Sequence, residues 1–225
     1  MTRIKLHLTT ITLTLLSLSI SGASLPFFSN QEYSTCNSLK TCEHTISEIQ
    51  KKDDLELDPV TYSDFEKFVS ATNYKTDAEK YGWSLVQLDV HKFKIVKNAT
   101  WKTPNGKDSI YNKSLPVTQV SYNDAIAYCN WNNKRLPTYQ EYWEIASRDT
   151  RIVNSNNKMP ISDIASVNIV GNVWDITESK KGVNVRLAGG SLFCSEDTCN
   201  GTVKERELYV DRETGNIHIG FSIIK

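Results

Sequence analysis

The sequence has no net charge with which to recruit a polyanion, because 26 Lys and Arg residues balance 26 Asp and Glu residues. It also has no Lys- or Arg-rich run, so we expect neither a nucleic acid nor an anionic membrane as a partner. It lacks internal repeats, low-complexity segments and a linker that would divide the chain. A chain of 225 residues is long enough for one domain with a sizeable core or for two small domains. These absences favour a single domain.

Histidine is scarce beyond the N-terminal segment. The only ones there are His44, His91 and His218, and their positions are far apart in the sequence. Imidazole-held metal centres usually show close ligand spacing. A metal site built on histidines is therefore not predicted.

Long hydrophobic runs are absent except at the N-terminus. Arg3 and Lys5 precede an apolar stretch, Leu6–Ile20, and small residues follow at 21–23. The stretch is short and no basic stop-transfer segment follows it, so the pattern predicts a signal peptide over residues 1–23 rather than an uncleaved anchor. We expect an exported protein, in a periplasm, outside the cell or in the endoplasmic reticulum lumen, with no membrane association after cleavage.

Cysteine is present in an odd number, so at least one thiol is left over or pairs between molecules. The five are Cys36, Cys42, Cys129, Cys194 and Cys199. The first two flank a short polar loop and can close a local disulfide, which an oxidising compartment preserves. Cys129 falls within a predicted helix and is expected to be a small buried hydrophobe.

The stretch from Gly189 to Cys199 places two thiols, Cys194 and Cys199, after a glycine pair. Glycines allow backbone conformations that a Cβ would forbid, so a thiol beyond them can lie exposed in a cleft. The spacing suits neither a Cys-x-x-Cys motif nor a four-thiolate zinc site. It leaves two interpretations: a short structural disulfide, or a reactive pair that exchanges with a substrate thiol or binds Cu(I).

Capping boxes, which pair Ser or Thr with an acidic residue three positions later, predict the helices. Four are present: Thr61–Asp64, Thr76–Glu79, Ser121–Asp124 and Thr138–Glu141. Alternating or short apolar runs predict extended segments. These are one or two strands within Thr45–Leu57, extended structure over Trp83–Val96, and strands at Leu115–Val120 and Gly215–Ile224. Residues 24–44 are predicted to be an irregular leader, and 45–225 one α+β domain with short helices, short strands and much coil.

Several separated blocks resemble the formylglycine-generating enzyme, or sulfatase-modifying factor, family from about Thr45 to the C-terminus. The blocks are Val60-Thr61 with Phe65 and Phe68, Thr76–Gly82, Thr100–Gly106, Pro116–Trp131, Lys134–Glu144, Gly171–Asp175, Arg186–Ser191 and Gly220-Phe221. The resemblance implies that family's irregular fold, which is of the C-type-lectin-like type. It also implies a catalytic role for Cys194 and Cys199, with Ser191 and Trp174 beside them.

The activity implied by the resemblance is copper- and oxygen-dependent oxidation of a cysteine to Cα-formylglycine. The implied partners are O₂ and a cysteine-containing polypeptide such as an unfolded sulfatase. Two thiolates suit Cu(I), a soft ion, and the expected copper ligands are Cys194 and Cys199. Ser191 would hold the substrate sulfur or an oxygen-derived group by a hydrogen bond, and Trp174 would wall an apolar pocket. Their structural alternatives are a turn hydroxyl and a core ring.

A Ca²⁺ site is also implied by the resemblance. Its oxygen ligands would come from Asn168, Gly171, Val173 and Asp175, in keeping with calcium's preference for hard oxygen donors. Asp175 stands where the family more usually has glutamate. The alternative is a turn stabilised by Asn168 and Asn172.

Besides Asp175, the chain departs from the family pattern in three places. The segment between Arg148 and Asn168 is short, Ser222 stands where arginine is expected, and the residues after Cys199 lack the aromatic, arginine-rich pattern and a cysteine to pair with Cys129. A second hypothesis is therefore a non-catalytic binding or assembly module in which Cys194 and Cys199 form a structural disulfide. A third, an iron-dependent sulfoxide-forming relative, needs the histidine cluster that the sequence lacks.

Overall fold

The structure is a computed structural model, and it describes residues 55–89, 92–148, 170–191 and 208–225. All of them belong to one compact unit, His44–Lys225. The predicted signal peptide, the leader, and the Cys36 and Cys42 pair lie outside the described residues.

Four helices occur in the described part of the chain, each starting directly after a predicted capping residue. They are α1 (Tyr62–Thr72), α2 (Asp77–Tyr81), α3 (Tyr122–Asn132) and α4 (Tyr139–Arg148). At the starts of α2, α3 and α4 both hydrogen bonds of the capping box form. At α1 only one forms, because the Asp64 carboxylate accepts from the Thr61 hydroxyl instead of its backbone.

Eight strands lie in the described ranges. They are β1 (Leu57–Pro59), β2 (Trp83–Asp89), β3 (Lys92–Lys97), β4 (Trp174–Ile176), β5 (Val185–Ala188), β6 (Leu208–Val210), β7 (Ile219–Gly220) and β8 (Ser222–Ile224). Strands β2 and β3 form a hairpin, β1 pairs with β8, and the remaining four make a sheet in the order β6-β5-β4-β7. The fold is thus α+β, as predicted.

An aromatic cluster fills the main core between α1, α3 and the sheet. It contains Phe65, Phe68, Trp101, Tyr128 and Phe221, all almost fully buried. Phe65 meets Trp101, and Tyr128 meets Phe221, with ring centroids 5.4 Å apart in each edge-on pair. Rings buried this way typically contribute about 3–5 kcal/mol each, judged from truncation to alanine. Cys129 is buried in the same core, as predicted.

The predicted strand at Leu115–Val120 forms only an isolated bridge, between Thr61 and Pro116. Pro116 has no N–H to donate, and Gln119 has a φ of 60°, so a regular ladder cannot continue. The segment instead crosses the core, where the Val117 N–H donates to the Val60 carbonyl at 2.8 Å. Strand β6 was not predicted from the sequence.

Over the described ranges, no helix combines the length and the apolar character that crossing a bilayer requires.

Candidate functional site

Strand β4 lies inside the sheet, and three segments meet at the end where it begins. Strand β5 runs antiparallel to β4, so its last residue lies near the first residue of β4. Strand β7 runs parallel to β4, with Ile219 opposite Trp174. The residues that follow β5 and precede β7 therefore come to the same place. We call this place the sheet end and define it by Trp174, Ser191 and His218.

The glycine pair shapes the turn that brings Ser191 to the sheet end. Gly189 and Gly190 have φ values of 87° and 73°, which side-chain-bearing residues rarely adopt. A Cβ on Gly189 would also overlap the Tyr142 hydroxyl. The Gly189 carbonyl accepts from the Gly171 N–H at 2.8 Å, which ties this turn to the one that precedes β4.

Ser191 forms a hydrogen bond with a histidine that the sequence did not single out as functional. Its Oγ lies 2.8 Å from Nδ1 of His218, and both side chains are buried. Burial lowers the pKa of His218 from 6.5 to about 4, so the ring is neutral at neutral pH. We call these two side chains the Ser191–His218 pair. The sequence feature that could have drawn attention to His218 is its position two residues before the closing Gly220-Phe221 motif.

Trp174 is buried in the aromatic core, and its backbone N–H donates to the His218 carbonyl at 2.8 Å. It is thus both a core ring and a neighbour of the Ser191–His218 pair along the backbone. That its ring walls a substrate pocket stays a prediction.

Cys194, Cys199 and Asn168 lie outside the described residues. Their predicted roles as copper and calcium ligands therefore stay predictions. Cys129, the free thiol that is described, is not a candidate nucleophile, because burial raises its pKa to about 12.

The Asp175 carboxylate is fully buried beside the sheet end. The Tyr142 hydroxyl donates to its Oδ2 at 3.1 Å, and the Ser222 hydroxyl donates to its Oδ1 at 2.7 Å. Burial raises its pKa to about 7, although the bonds from Ser222 and Tyr142 oppose the rise. Positions 175 and 222, two of the departures from the family pattern, are therefore in direct contact.

Three residues of the predicted calcium site are described. Gly171 and Val173 lie in the turn before β4, and Asp175 lies within the strand. No Lys, Arg or His in the described ranges forms an ion pair with Asp175, so a bound cation would supply the missing positive charge. The same ranges hold no group of three or more His, Cys, Asp or Glu side chains suited to a metal.

Two buried amides near the sheet end have unmet hydrogen-bonding capacity. Among the described residues, neither Oδ1 nor Nδ2 of Asn172 has a partner, and the side chain is only 1% exposed. Oδ1 of Asn216 is also without one. Buried polar groups without partners are rare, and they often occur where a ligand or an ordered water binds.

A cleft of about 210 Å³ opens near this region, lined by residues that include Tyr62, Ile110, Leu115 and Ile217. Ile217 is the sequence neighbour of His218. Ser191, Trp174 and His218 are not among its lining residues. The cleft is therefore separate from the Ser191–His218 pair.

The comparisons with known proteins agree on one family. The family model for the sulfatase-modifying factor enzyme 1-like domain matches residues 43–168, more than half of the chain. The inactive Cα-formylglycine-generating enzyme 2 of Mus musculus is 40% identical over 213 residues, covering 70% of this chain and 68% of that protein.

The formylglycine-generating enzyme of Mus musculus is 34% identical over 173 residues, covering 52% of this chain and 46% of that protein. The chain thus spans less than half the length of this enzyme. Among solved structures, CarF aligns at 17% identity over 74% of this chain and 83% of that chain, with a TM-score of 0.40. That likeness is too low to bear on function.

Proposed function

Because this chain belongs to the sulfatase-modifying factor family, we propose that it oxidises a cysteine of a partner polypeptide to Cα-formylglycine, using copper and O₂. One observation carries the proposal. The Gly189-Gly190 turn delivers Ser191 to the sheet end beside Trp174, and the sequence then reaches Cys194 and Cys199. The described backbone up to Ser191, three residues before the first thiol, is therefore held at the end of the sheet.

The thiol pair is the proposed copper site. Two thiolates are the soft ligands that Cu(I) prefers, and bound copper supplies the activation of O₂. Ser191 holds the sulfur of the substrate cysteine by a hydrogen bond, and Trp174 keeps water from the reacting carbon. Asn168, Gly171, Val173 and Asp175 bind Ca²⁺, which fixes the turn before β4.

The proposed reaction balances with an external thiol as a second reductant. The substrate R–CH₂–SH becomes R–CHO and releases H₂S, a two-electron oxidation that takes its aldehyde oxygen from water. Reduction of O₂ to two waters needs four electrons, so two must come from a thiol reductant that becomes a disulfide. The substrate is an extended or unfolded polypeptide, such as a sulfatase, met in the compartment to which the signal peptide directs the chain.

The test is made on the mature protein with reduced thiols. Cu(I) is titrated in without oxygen to count bound metal, and a Cys-x-Pro-x-Arg peptide is then supplied with O₂ and a thiol. We expect one Cu(I) per chain and a peptide mass change from thiol to aldehyde. A hydrazine probe that labels the product identifies the aldehyde.

Matched variants separate the thiol pair from the buried Cys129. Cys194→Ser and Cys199→Ser should each lose Cu(I) binding and product, whereas Cys129→Ala should keep both, because its thiol is buried in the core. Full activity in Cys199→Ser would reject the mechanism.

A second candidate function is a non-catalytic binding or assembly module of the same fold. The observation in its favour is that the relative named as inactive shares more identity and more length with this chain than the Mus musculus enzyme does. In that case Cys194 and Cys199 form a disulfide. Intact-mass analysis discriminates between the two, since a disulfide that resists mild reductant and a chain that binds no Cu(I) favour the module.

A further inference from the structure

Strand β3 has one paired edge and one open edge. On the paired side, its register with β2 sets Ile95 opposite Leu85. The far edge of β2 is also occupied, because Leu85 forms a parallel bridge with Asn216. Within the described ranges no segment pairs with the second edge of β3, so the backbone groups that point that way are open to another strand. We call this second edge, over Lys92–Lys97, the β3 edge.

The two faces of β3 differ in their surroundings. Val86, which lies opposite Lys94, is only 4% exposed, so the face that they share is turned toward the domain. Successive side chains of a strand alternate between faces. Phe93 and Ile95 therefore lie on the outer face, where they are 58% and 62% exposed. Two large apolar side chains are thus left in water beside the β3 edge.

Lysine supplies all the charge on β3. By the same alternation, Lys92 and Lys94 belong to the inner face and Lys97 to the outer one, and the strand contains no acidic residue. Among the described residues, neither Lys94 nor Lys97 forms an ion pair. Lysines on an exposed edge oppose pairing with a second copy. When two β3 edges meet antiparallel about their centre, Lys92 lies opposite Lys97, and like charges repel.

We propose that the β3 edge binds an extended acidic segment of a partner polypeptide, which adds to the β2–β3 hairpin as a third strand. Main-chain hydrogen bonds join such a strand, and the side chains of β3 select its sequence. Positions opposite Lys92, Lys94 and Lys97 take acidic residues. Positions opposite Phe93 and Ile95 take β-branched apolar residues. This inference goes beyond the proposed oxidation and does not depend on it.

The placement of the lysines favours a polypeptide over an anionic membrane. A membrane-surface segment buries an apolar face while its cations remain beside that face. On β3, however, Phe93 and Ile95 share their face with Lys97 alone. A bilayer that received the apolar side chains would therefore meet one lysine of the three, whereas an added strand meets all of them.

The first experiment measures binding of a synthetic strand to the mature protein. The probe is the end-blocked peptide Glu-Thr-Val-Glu-Val-Glu, whose residues pair antiparallel with positions 97 to 92 in that order. We expect saturable binding by calorimetry that weakens as salt is added, and slower hydrogen exchange at alternate amides of β3. Equal binding of the blocked sequence Glu-Glu-Glu-Thr-Val-Val, or unchanged exchange in β3, overturns the proposal.

Exchanging a charge tests the register. Lys94→Glu should weaken binding about tenfold, because an attractive cross-strand pair becomes a repulsive one. A peptide with lysine as its fourth residue should restore binding to that variant. Lys75→Glu, in the exposed link between α1 and α2, makes the same change in net charge and should leave binding unaltered. Equal weakening in both variants, or no restoration, contradicts the pairing.

A third variant tests the apolar side chains. Ile95→Thr keeps a β-branched residue and removes apolar surface, so we expect binding about threefold weaker with the melting temperature unchanged. Wild-type affinity in this variant overturns the assigned register. Phosphatidylglycerol vesicles that bind the protein while the peptide does not, or a dimer in sedimentation that the peptide fails to compete with, would assign the β3 edge to another partner and overturn the proposal.

Discussion

Two buried polar regions of this molecule are built differently. At the starts of α2 and α3, Asp77 and Asp124 form what we call the helix joint. Asp77 accepts from the Ser121 hydroxyl at 2.7 Å and from Lys80 at 2.9 Å. Asp124 accepts from the backbone of Ser121 and Asp77 and from the Tyr74 hydroxyl, at 2.9–3.1 Å.

At the sheet end and around it, the buried polar groups are less fully hydrogen-bonded. Among the described residues, Asn172 has no partner for either polar atom, and the fully buried Asp175 has hydrogen bonds from Tyr142 and Ser222 but no ion pair. Buried groups left unsatisfied reduce stability, and natural proteins retain them where function needs them. The helix joint is thus fully paired, whereas the surroundings of the sheet end hold buried polar atoms without partners, as the proposed function would lead us to expect.

The largest expected effect comes from a substitution at Gly189, which tests how closely the turn before Ser191 is packed. Gly189→Ala introduces a methyl group that meets the Tyr142 hydroxyl at a φ of 87°. We expect a loss of about 3 kcal/mol in the free energy of unfolding, from overlap and backbone strain together. Denaturant unfolding measures it.

Gly182→Ala is the matched control, because its φ of 80° is equally unusual but no atom lies within 4 Å of the new methyl group. It should cost only about 1 kcal/mol. Equal losses in both variants would mean that close packing at the turn has no special importance.

We expect calcium to stabilise the protein by binding at Asp175, next to the sheet end. If Ca²⁺ binds at Asp175, calcium at a hundred times its dissociation constant stabilises the protein by about 2.7 kcal/mol. The gain should disappear in Asp175→Asn and persist in Ser222→Ala, which keeps the carboxylate. A thermal-unfolding series with calcium, magnesium and a chelator measures it, and an undiminished gain in Asp175→Asn contradicts the site.

The helix joint should show its own pH dependence. Burial, together with the charge of Asp77, raises the pKa of Asp124 to about 6, although backbone hydrogen bonds oppose the rise. A raised pKa means that the native state holds the proton more tightly than the unfolded chain. Its contribution to stability is therefore present below about pH 4 and lost as the pH rises through 6, by up to about 2 kcal/mol.

Other groups titrate in the same pH range, so the contribution of Asp124 is measured as a difference between the wild type and a variant. The raised pKa of Asp175 acts in the same direction, while the lowered pKa of His218 acts in the opposite one. The free energy of unfolding of the wild type minus that of Asp124→Asn, followed from pH 4 to pH 7, isolates the joint. A difference that does not change over this range would contradict the assignment.

The smallest expected effect contrasts two buried amides. Asn172→Leu removes polar atoms that have no partner, so we expect unfolding to become harder by about 1 kcal/mol while formylglycine production falls. Gln119→Leu is the counterpart. Its amide nitrogen donates to the carbonyls of Leu85 and Pro104, so that variant should be destabilised instead. If both variants are destabilised, the Asn172 side chain has hydrogen-bond partners in solution, which contradicts the prediction.

Local features of the sequence predicted most of the helices, and nonlocal contacts account for what it missed. A capping box involves residues three positions apart, so Ser121 with Asp124 can be read directly. The bond between Ser191 and His218 depends on how β4, β5 and β7 pair, which no local pattern indicates. The scattered histidines gave no sign that His218 would form a hydrogen bond with Ser191.

The candidate site was predicted chiefly through resemblance. Ser191, Trp174 and Asp175 were singled out that way, and the structure brings the first two to one end of the sheet. The contact between Ser222 and Asp175 could not be foreseen, because the two positions were read as separate departures. The strand predicted at Leu115–Val120 was wrong because Pro116 and the positive φ of Gln119 interrupt a ladder.

Strands β1 and β8 pair antiparallel, with Leu57 opposite Ile224, and β7 lies immediately before β8. His218 and β7 follow Ser191 and β4 in the sequence, so they leave a ribosome later than those residues do. Until they emerge, Ser191 lacks its imidazole neighbour and β4 lacks its parallel partner. A nascent chain would therefore lack both contacts until the residues of β7 had emerged.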